Sequence, residues 1–248
     1  MVRLSFPAGL DSHAQLDETQ LYTRLLLARA TGEYLRQSRP DLAPKMVTGY
    51  DSVCLSFDPA HDSQKQLQAW LLELGVSPDF GGYLTKYMQA GEGANQRLHR
   101  VPVVYGGEYG PDLVEVAQLK NLSVAEVIRL HSAATYSVYL VGFSAGYGYM
   151  GALPAALDLP RRSSPRAKVP RGTVALAAGM TGVYPLDMPG GWRLIGYTPL
   201  SVFEAELDPP VRFLPGDKVQ FYPIEAEEVA RFENVARDLK SSLEPQNG

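Results

Sequence analysis

The stretch VGFSAGYGYMGALP, Val141 to Pro154, decides the fold, because it satisfies two patterns that demand different architectures. Gly142-Phe143-Ser144-Ala145-Gly146 reads as G-x-S-x-G, which makes Ser144 a nucleophile on a strand-to-helix elbow. Gly146-Tyr147-Gly148-Tyr149-Met150-Gly151 reads as G-x-G-x-x-G, which sets a pyrophosphate over the start of a helix. Both require a helix next, and Tyr147-Gly148-Tyr149-Met150-Gly151 makes a poor one. The four histidines all precede Ser144, whereas an α/β-hydrolase places its histidine after the nucleophile. A dinucleotide site needs an acid ~20 residues on, but no acid lies between Asp158 and Asp187, and Pro154 and Pro160 crowd the would-be helix. Both readings fail. The stretch reads instead as a glycine-rich loop joining strands, with Phe143, Tyr147 and Tyr149 packing.

Strand signals surround it. TYSVYLVGF precedes it, and beyond it short apolar runs (TVALAA, GVYPL, WRLIGY, SVFEA, KVQFYPI) recur between glycines and prolines, the signature of a barrel or sandwich. Upstream, LHRVPVVYGG reads as a strand opening this second domain near Leu98, followed by two short helices, the second with Ser123 and Glu126 as a capping box. A last helix is expected over 225–240, before a frayed EPQNG tail. The first half alternates as β-α-β-α: VRLSF, a helix capped by Asp17, SVCLSF, and a helix with Leu67, Trp70, Leu71 and Leu74 on one stripe. That order predicts a small α/β sandwich over residues 1–92. Pro78 to Gln96 reads as a glycine-rich linker, and residues 98–248 form the barrel domain of an α+β chain.

The 248 residues, 45% hydrophobic and 20% charged, suffice for a core without metals or disulfides. A net charge of −4 excludes general nucleic-acid and anionic-membrane partners. The lone Cys54 fits a reducing cytoplasm and reads as a buried thiol. Neither a signal peptide, an apolar span of ~18 residues, a P-loop nor an H-E-x-x-H pair is visible.

Four segments, VPVVYGGEYGPDL (101–113), VAEVIRLHSAATYSVYLVGFSAGYGYMG (124–151), LPRRSSPRAKVPRGTV (159–174) and TGVYPLDMPGGWRLIGYTP (181–199), together resemble the allophanate hydrolase subunit 1 family. That family includes the subunit-B proteins of 5-oxoprolinases and the sporulation histidine-kinase inhibitor. The resemblance implies a cyclophilin-like β-barrel for the second domain. Three departures stand out: Ala145 in place of proline, Met180 in place of glutamine and Tyr197 in place of arginine. The last two remove polar groups from the expected pocket.

The candidate site residues follow. PRRSSPRAKVPR carries five basic residues and no acid in an acidic protein. Arg161 and Arg166, which match the family segment, are the candidates to hold a substrate's anionic end; a solvated basic loop is the alternative. Glu108 and Asp112 flank a Gly-Pro turn, where two carboxylates could hold a general-base or metal role, although Asp112 also suits a helix N-cap. His131 is the proton-transfer candidate, or else a cation at a helix C-terminus. Trp192 is a core ring, a pocket wall or a partner-facing anchor. No metal site is read.

By resemblance the chain is a subunit-B-like component of a bacterial ATP-dependent 5-oxoprolinase, inactive alone. Subunit-A-like and subunit-C-like partners are implied, with ATP and Mg held together with them. Two alternatives stand beside it: an inhibitor binding a sensor histidine kinase, and a carboxyltransferase-like component of a biotin-dependent urea carboxylase and allophanate hydrolase system.

Overall fold

The computed structural model describes residues 2–5, 18–41, 46–49, 52–56, 64–90, 97–206 and 208–232. The chain divides into two compact units, Met1–Asn95 and Gln96–Gly248.

In the first unit, β1 (Val2–Ser5), β2 (Met46–Thr48) and β3 (Ser52–Leu55) form an antiparallel sheet in the order β1-β3-β2. Leu35 of α1 (Glu18–Ser38) and Leu67 and Leu71 of α2 (Gln64–Gly75) share one buried cluster with Met46, Val53 and Leu55. Cys54 is only half-buried, because its side chain points away from the face that carries Val53 and Leu55. Asp17 and Phe57 lie outside the described residues.

The expected linker is a helix for most of its length: α3 runs from Pro78 to Ala90. Its signals were local and easily outweighed by two glycines, each worth about 1 kcal/mol against a helix. Pro78 takes the first helical position, where its missing N–H costs nothing. Phe80, Tyr83 and Tyr87 then recur at helical spacing. Tyr34 of α1 meets both Phe80 and Tyr83 with ring centroids 5.1 Å apart, so aromatic packing overrides the weak propensity.

In the second unit, seven strands close into a barrel: β4 (Leu98–Tyr105), β5 (Tyr136–Val141), β6 (Gly148–Gly151), β8 (Thr173–Ala177), β9 (Met180–Val183), β11 (Arg193–Tyr197) and β12 (Lys218–Pro223). Around the barrel their order is β11-β4-β12-β5-β6-β9-β8. β7 (Arg166–Val169) and β10 (Met188–Gly190) form a separate ribbon. The strand patterns report how many faces are covered. β12 alternates, sending Val219 and Phe221 into the core. β8 is buried throughout: Val174 and Leu176 join the main core, and Ala175 and Ala177 join a second, aromatic cluster. A strand covered on both faces reads as a continuous apolar run, which TVALA is. The SVFEA run forms only an isolated bridge, Phe203 to Val211. The final helix begins after a short turn at Ala226–Glu228, and from residue 233 it lies outside the described residues.

Both short helices form, α4 (Leu113–Lys120) and α5 (Val124–Ala133). The α5 capping box is complete: Glu126 N–H donates to Ser123 Oγ at 3.2 Å, and Ser123 N–H donates to Glu126 Oε2 at 2.9 Å. This cap fixes the helix that carries Val127 and His131 into the core. Ser123→Ala is expected to lower stability by about 1 kcal/mol, read as an earlier urea midpoint with unchanged slope.

Candidate functional site

The glycine-rich stretch is a hairpin connection between β5 and β6, not an elbow. Phe143 and Gly146 take left-handed backbone conformations (φ +67° and +80°), and Tyr147 N–H donates to Ser144 O. At Gly146 a side chain would meet Phe203 Cβ at 2.7 Å, so glycine lets the hairpin settle against that loop. The hairpin thereby delivers Phe143, Tyr147 and Tyr149 to one side of a cavity of about 160 Å³. Arg161, Arg162 and Pro165 form another side, and Tyr184, Gly190, Gly191 and Trp192 complete it.

Trp192 is a pocket wall and is 4% exposed, too enclosed to be the tip of a partner-facing anchor. Tyr147 stands edge-on to both Trp192 (5.7 Å) and Tyr184 (5.2 Å). Tyr184 packs directly on Gly190, filling the space a Cβ would need. Burial pushes the Tyr147 and Tyr184 hydroxyls upward, so both stay protonated at neutral pH; the Arg161 charge opposes the rise only in part. The walls are therefore aromatic faces with neutral hydroxyls.

Arg161 is exposed at this pocket and, among the described residues, meets no hydrogen-bond or ion-pair partner. Its neighbours are committed elsewhere. Arg166 grips Asp112 through two parallel bonds, Nη1 to Oδ2 at 2.9 Å and Nη2 to Oδ1 at 2.7 Å. Arg162 reaches Asp112 at 3.4 Å and Glu115 at 3.0 Å, and its buried Nε has no partner among the described residues.

Asp112 occupies the N-cap position of α4, yet its side chain caps nothing. It is 4% exposed and accepts, besides the arginines, the Leu194 N–H at 2.8 Å. Its own N–H donates to Leu194 O. One carboxylate thus ties α4, β11 and the arginine segment together. Leaving the Arg166 guanidinium unneutralised and the buried Leu194 N–H unpaired would cost more than leaving one helix amide to solvent, which is why the cap is forgone.

His131 sits in the barrel core at 0% exposure and does not line the pocket. Thr181 Oγ1 donates to Ala175 O (3.0 Å) and so accepts from His131 Nε2 (2.9 Å); His131 Nδ1 then accepts from Tyr105 Oη at 2.7 Å. This chain of donors assigns the neutral Nε2–H tautomer. Burial pushes the imidazole down to about 3, so the cationic helix-end reading is replaced by a neutral core bridge. Glu108 is exposed in the turn before α4, apart from the pocket residues.

Of the residues singled out from sequence, the structure brings Arg161 and Trp192 together and pairs Arg166 with Asp112. Phe143, Tyr147 and Tyr149 were expected only to pack, and Tyr184 was not singled out; the density of rings in the hairpin and around GVYPL was the available signal. Met180 and Tyr197 are not pocket residues: Met180 packs on the aromatic cluster, and Tyr197 lies against Tyr109 at 5.6 Å. Among the described residues no cluster of metal-ligating side chains occurs, and no helix is long and apolar enough to cross a membrane.

The second unit is a closed barrel with a flanking ribbon and an arginine-edged aromatic pocket. Residues 13–213 match the family model described as carboxyltransferase domain, subdomain C and D, and the chain belongs to that family. More particularly, it is 45% identical over 175 residues to the 5-oxoprolinase subunit-B protein of Haemophilus influenzae (71% of this chain, 74% of that protein). It is 47% identical over 130 residues to the corresponding 5-oxoprolinase subunit-B protein of Bacillus subtilis (strain 168), covering 52% of this chain and spanning 54% of that relative's length. Among solved structures, Kluyveromyces lactis urea carboxylase superposes with a TM-score of 0.63 at 17% identity, covering 88% of this chain and 21% of that one. At that identity the likeness shows the fold.

Proposed function

We propose that this chain is a subunit-B-like component of an ATP-dependent 5-oxoprolinase, acting with subunit-A-like and subunit-C-like partners. The observation that carries the reading is an Arg161 that meets no partner among the described residues, at the edge of a small aromatic pocket, in a chain 45% identical to a 5-oxoprolinase subunit-B protein. The volume suits a small ring, being well below the ~300–1,000 Å³ typical of larger ligands. Arg161 holds the carboxylate of 5-oxoproline, and the ring lies against Trp192 and the tyrosines. Arg162 Nε offers a second, buried donor. In the reaction the lactam C–N bond breaks, the oxygen of water enters the new carboxylate, and the ring nitrogen becomes the amine of glutamate. ATP cleavage to ADP and phosphate, which takes up a second water, drives it. ATP and Mg are assigned to the partner subunits, since this pocket is too small for a nucleotide.

The test is reconstitution. Glutamate should form from 5-oxoproline and ATP only when all three subunit types are mixed, and the isolated chain should be inert. Turnover by the isolated chain would sink the division of labour; no turnover by the complete mixture would sink the reading. Within that assembly, Arg161→Ala is expected to raise KM for 5-oxoproline roughly 10- to 100-fold. Thermal unfolding should not move, because Arg161 is exposed and meets no partner among the described residues. An unchanged KM would return Arg161 to the solvent.

A further inference from the structure

A second cavity, of about 200 Å³, opens in the same unit and shares no residue with the aromatic pocket. Its polar side chains come from distant parts of the chain: Arg97 and His99 at the start of β4, and Arg212 from the loop before β12. Phe203 and Val211 supply apolar wall.

A buried carboxylate organises this wall. Asp217, 4% exposed, accepts from Arg97 Nε (3.3 Å), Arg97 Nη2 (2.8 Å), His99 Nε2 (2.8 Å) and the Leu214 N–H (2.9 Å). Burial pushes the Asp217 carboxyl up, but these donors outweigh it and hold it below the usual range. The aspartate is therefore ionised, and it orients both neighbours. With Nε2 engaged, His99 keeps Nδ1 unused, and Arg97 keeps Nη1. Arg212 is anchored through Nε to Ser201 O at 2.7 Å, which leaves both terminal nitrogens. Among the described residues none of these nitrogens meets a partner.

Oriented arginine donors left unspent at a cavity wall are the chemistry of oxyanion recognition. We propose that this cavity is a second ligand site, which binds a small oxyanion head, phosphate or carboxylate, between Arg97 and Arg212, beside the His99 ring. Glu204 also lines the cavity. Its charge disfavours a polyanion and restricts the site to a single head group, with Phe203 and Val211 meeting the attached apolar body.

The experiment titrates the full chain with sodium phosphate, sodium acetate and sodium chloride at equal ionic strength and fixed pH. His99 ring resonances report binding. A saturable shift with phosphate or acetate, absent with chloride, is expected; the tighter of the two identifies the head group. Arg212→Gln, which alters one exposed side chain, should weaken that binding about tenfold or more. The anion should also raise the unfolding temperature of the wild type and fail to raise that of the variant. A chloride response equal to the others, or undiminished affinity in Arg212→Gln, would overturn the site. Neither result bears on the 5-oxoproline pocket, which shares none of these residues.

Discussion

Asp112→Ala should destabilise the barrel unit by about 3 kcal/mol, which for a chain of this size lowers the unfolding temperature by roughly 6–12 °C. The substitution removes the acceptor for two arginines and for the buried Leu194 N–H. Breaking one side of such an arrangement is costly because the remaining charges and donors stay where they are. Asp112→Asn keeps an oxygen for Leu194 but not the charge, and should fall between wild type and Ala. Arg166→Ala should cost less, about 1–2 kcal/mol, since Arg166 is 29% exposed and water can screen what remains. The double variant should cost less than the sum of the singles. Additive effects would mean that the pair at 2.7–2.9 Å contributes no coupling. Arg166 was first expected to hold a substrate's anionic end; its pairing with Asp112 predicts instead that its loss registers in folding, whereas the loss of Arg161 is expected to register in ligand affinity.

His131 should make the fold acid-sensitive. The unfolded imidazole titrates near 6.5 and the buried one near 3, so the folded chain binds fewer protons between those values. Stability from this group is complete above about pH 6.5 and is lost as pH falls toward 3, by at most about 1.4 kcal/mol per pH unit. From pH 6.5 to 4.5 the loss amounts to roughly 2–3 kcal/mol. His131→Gln retains a donor and an acceptor toward Thr181 and Tyr105 but cannot take the proton. Whatever its stability at pH 7, its unfolding free energy should fall less steeply between pH 6.5 and 4.5, by close to one proton. Parallel slopes in the two proteins would contradict a neutral, buried His131.

Much of the barrel was legible in the chain. Its strands alternate or run apolar according to whether one face or both are covered, and that pattern is local: Val219 and Phe221 announce β12 without reference to any partner strand. The Ser123 and Glu126 box was equally visible, since both halves lie within one turn. The helix α3 was not, because the feature that stabilises it, Tyr34, is some fifty residues away. The pocket was legible in part. Trp192 and Arg161 could be picked out by residue type, but the tyrosines that share the cavity with them come from two places, Tyr147 and Tyr149 from the β5–β6 hairpin and Tyr184 from just after β9.

The sequence by itself determined the two-part organisation, most barrel strands and, through four ordered segments, the family. Tertiary structure alone decided which charged groups are available. Arg161, Arg162 and Arg166 are near-identical neighbours in the chain, yet one lines a cavity with no partner among the described residues while another is clamped to Asp112, fifty-four positions away. His131 was likewise ambiguous until the barrel closed around it and its two ring nitrogens were taken by Thr181 and Tyr105. The physical reason is range. Strand patterns and helix caps act over a few residues of chain, whereas a charge's partner and its access to water depend on atoms within about 3 Å in space, wherever the chain brings them from.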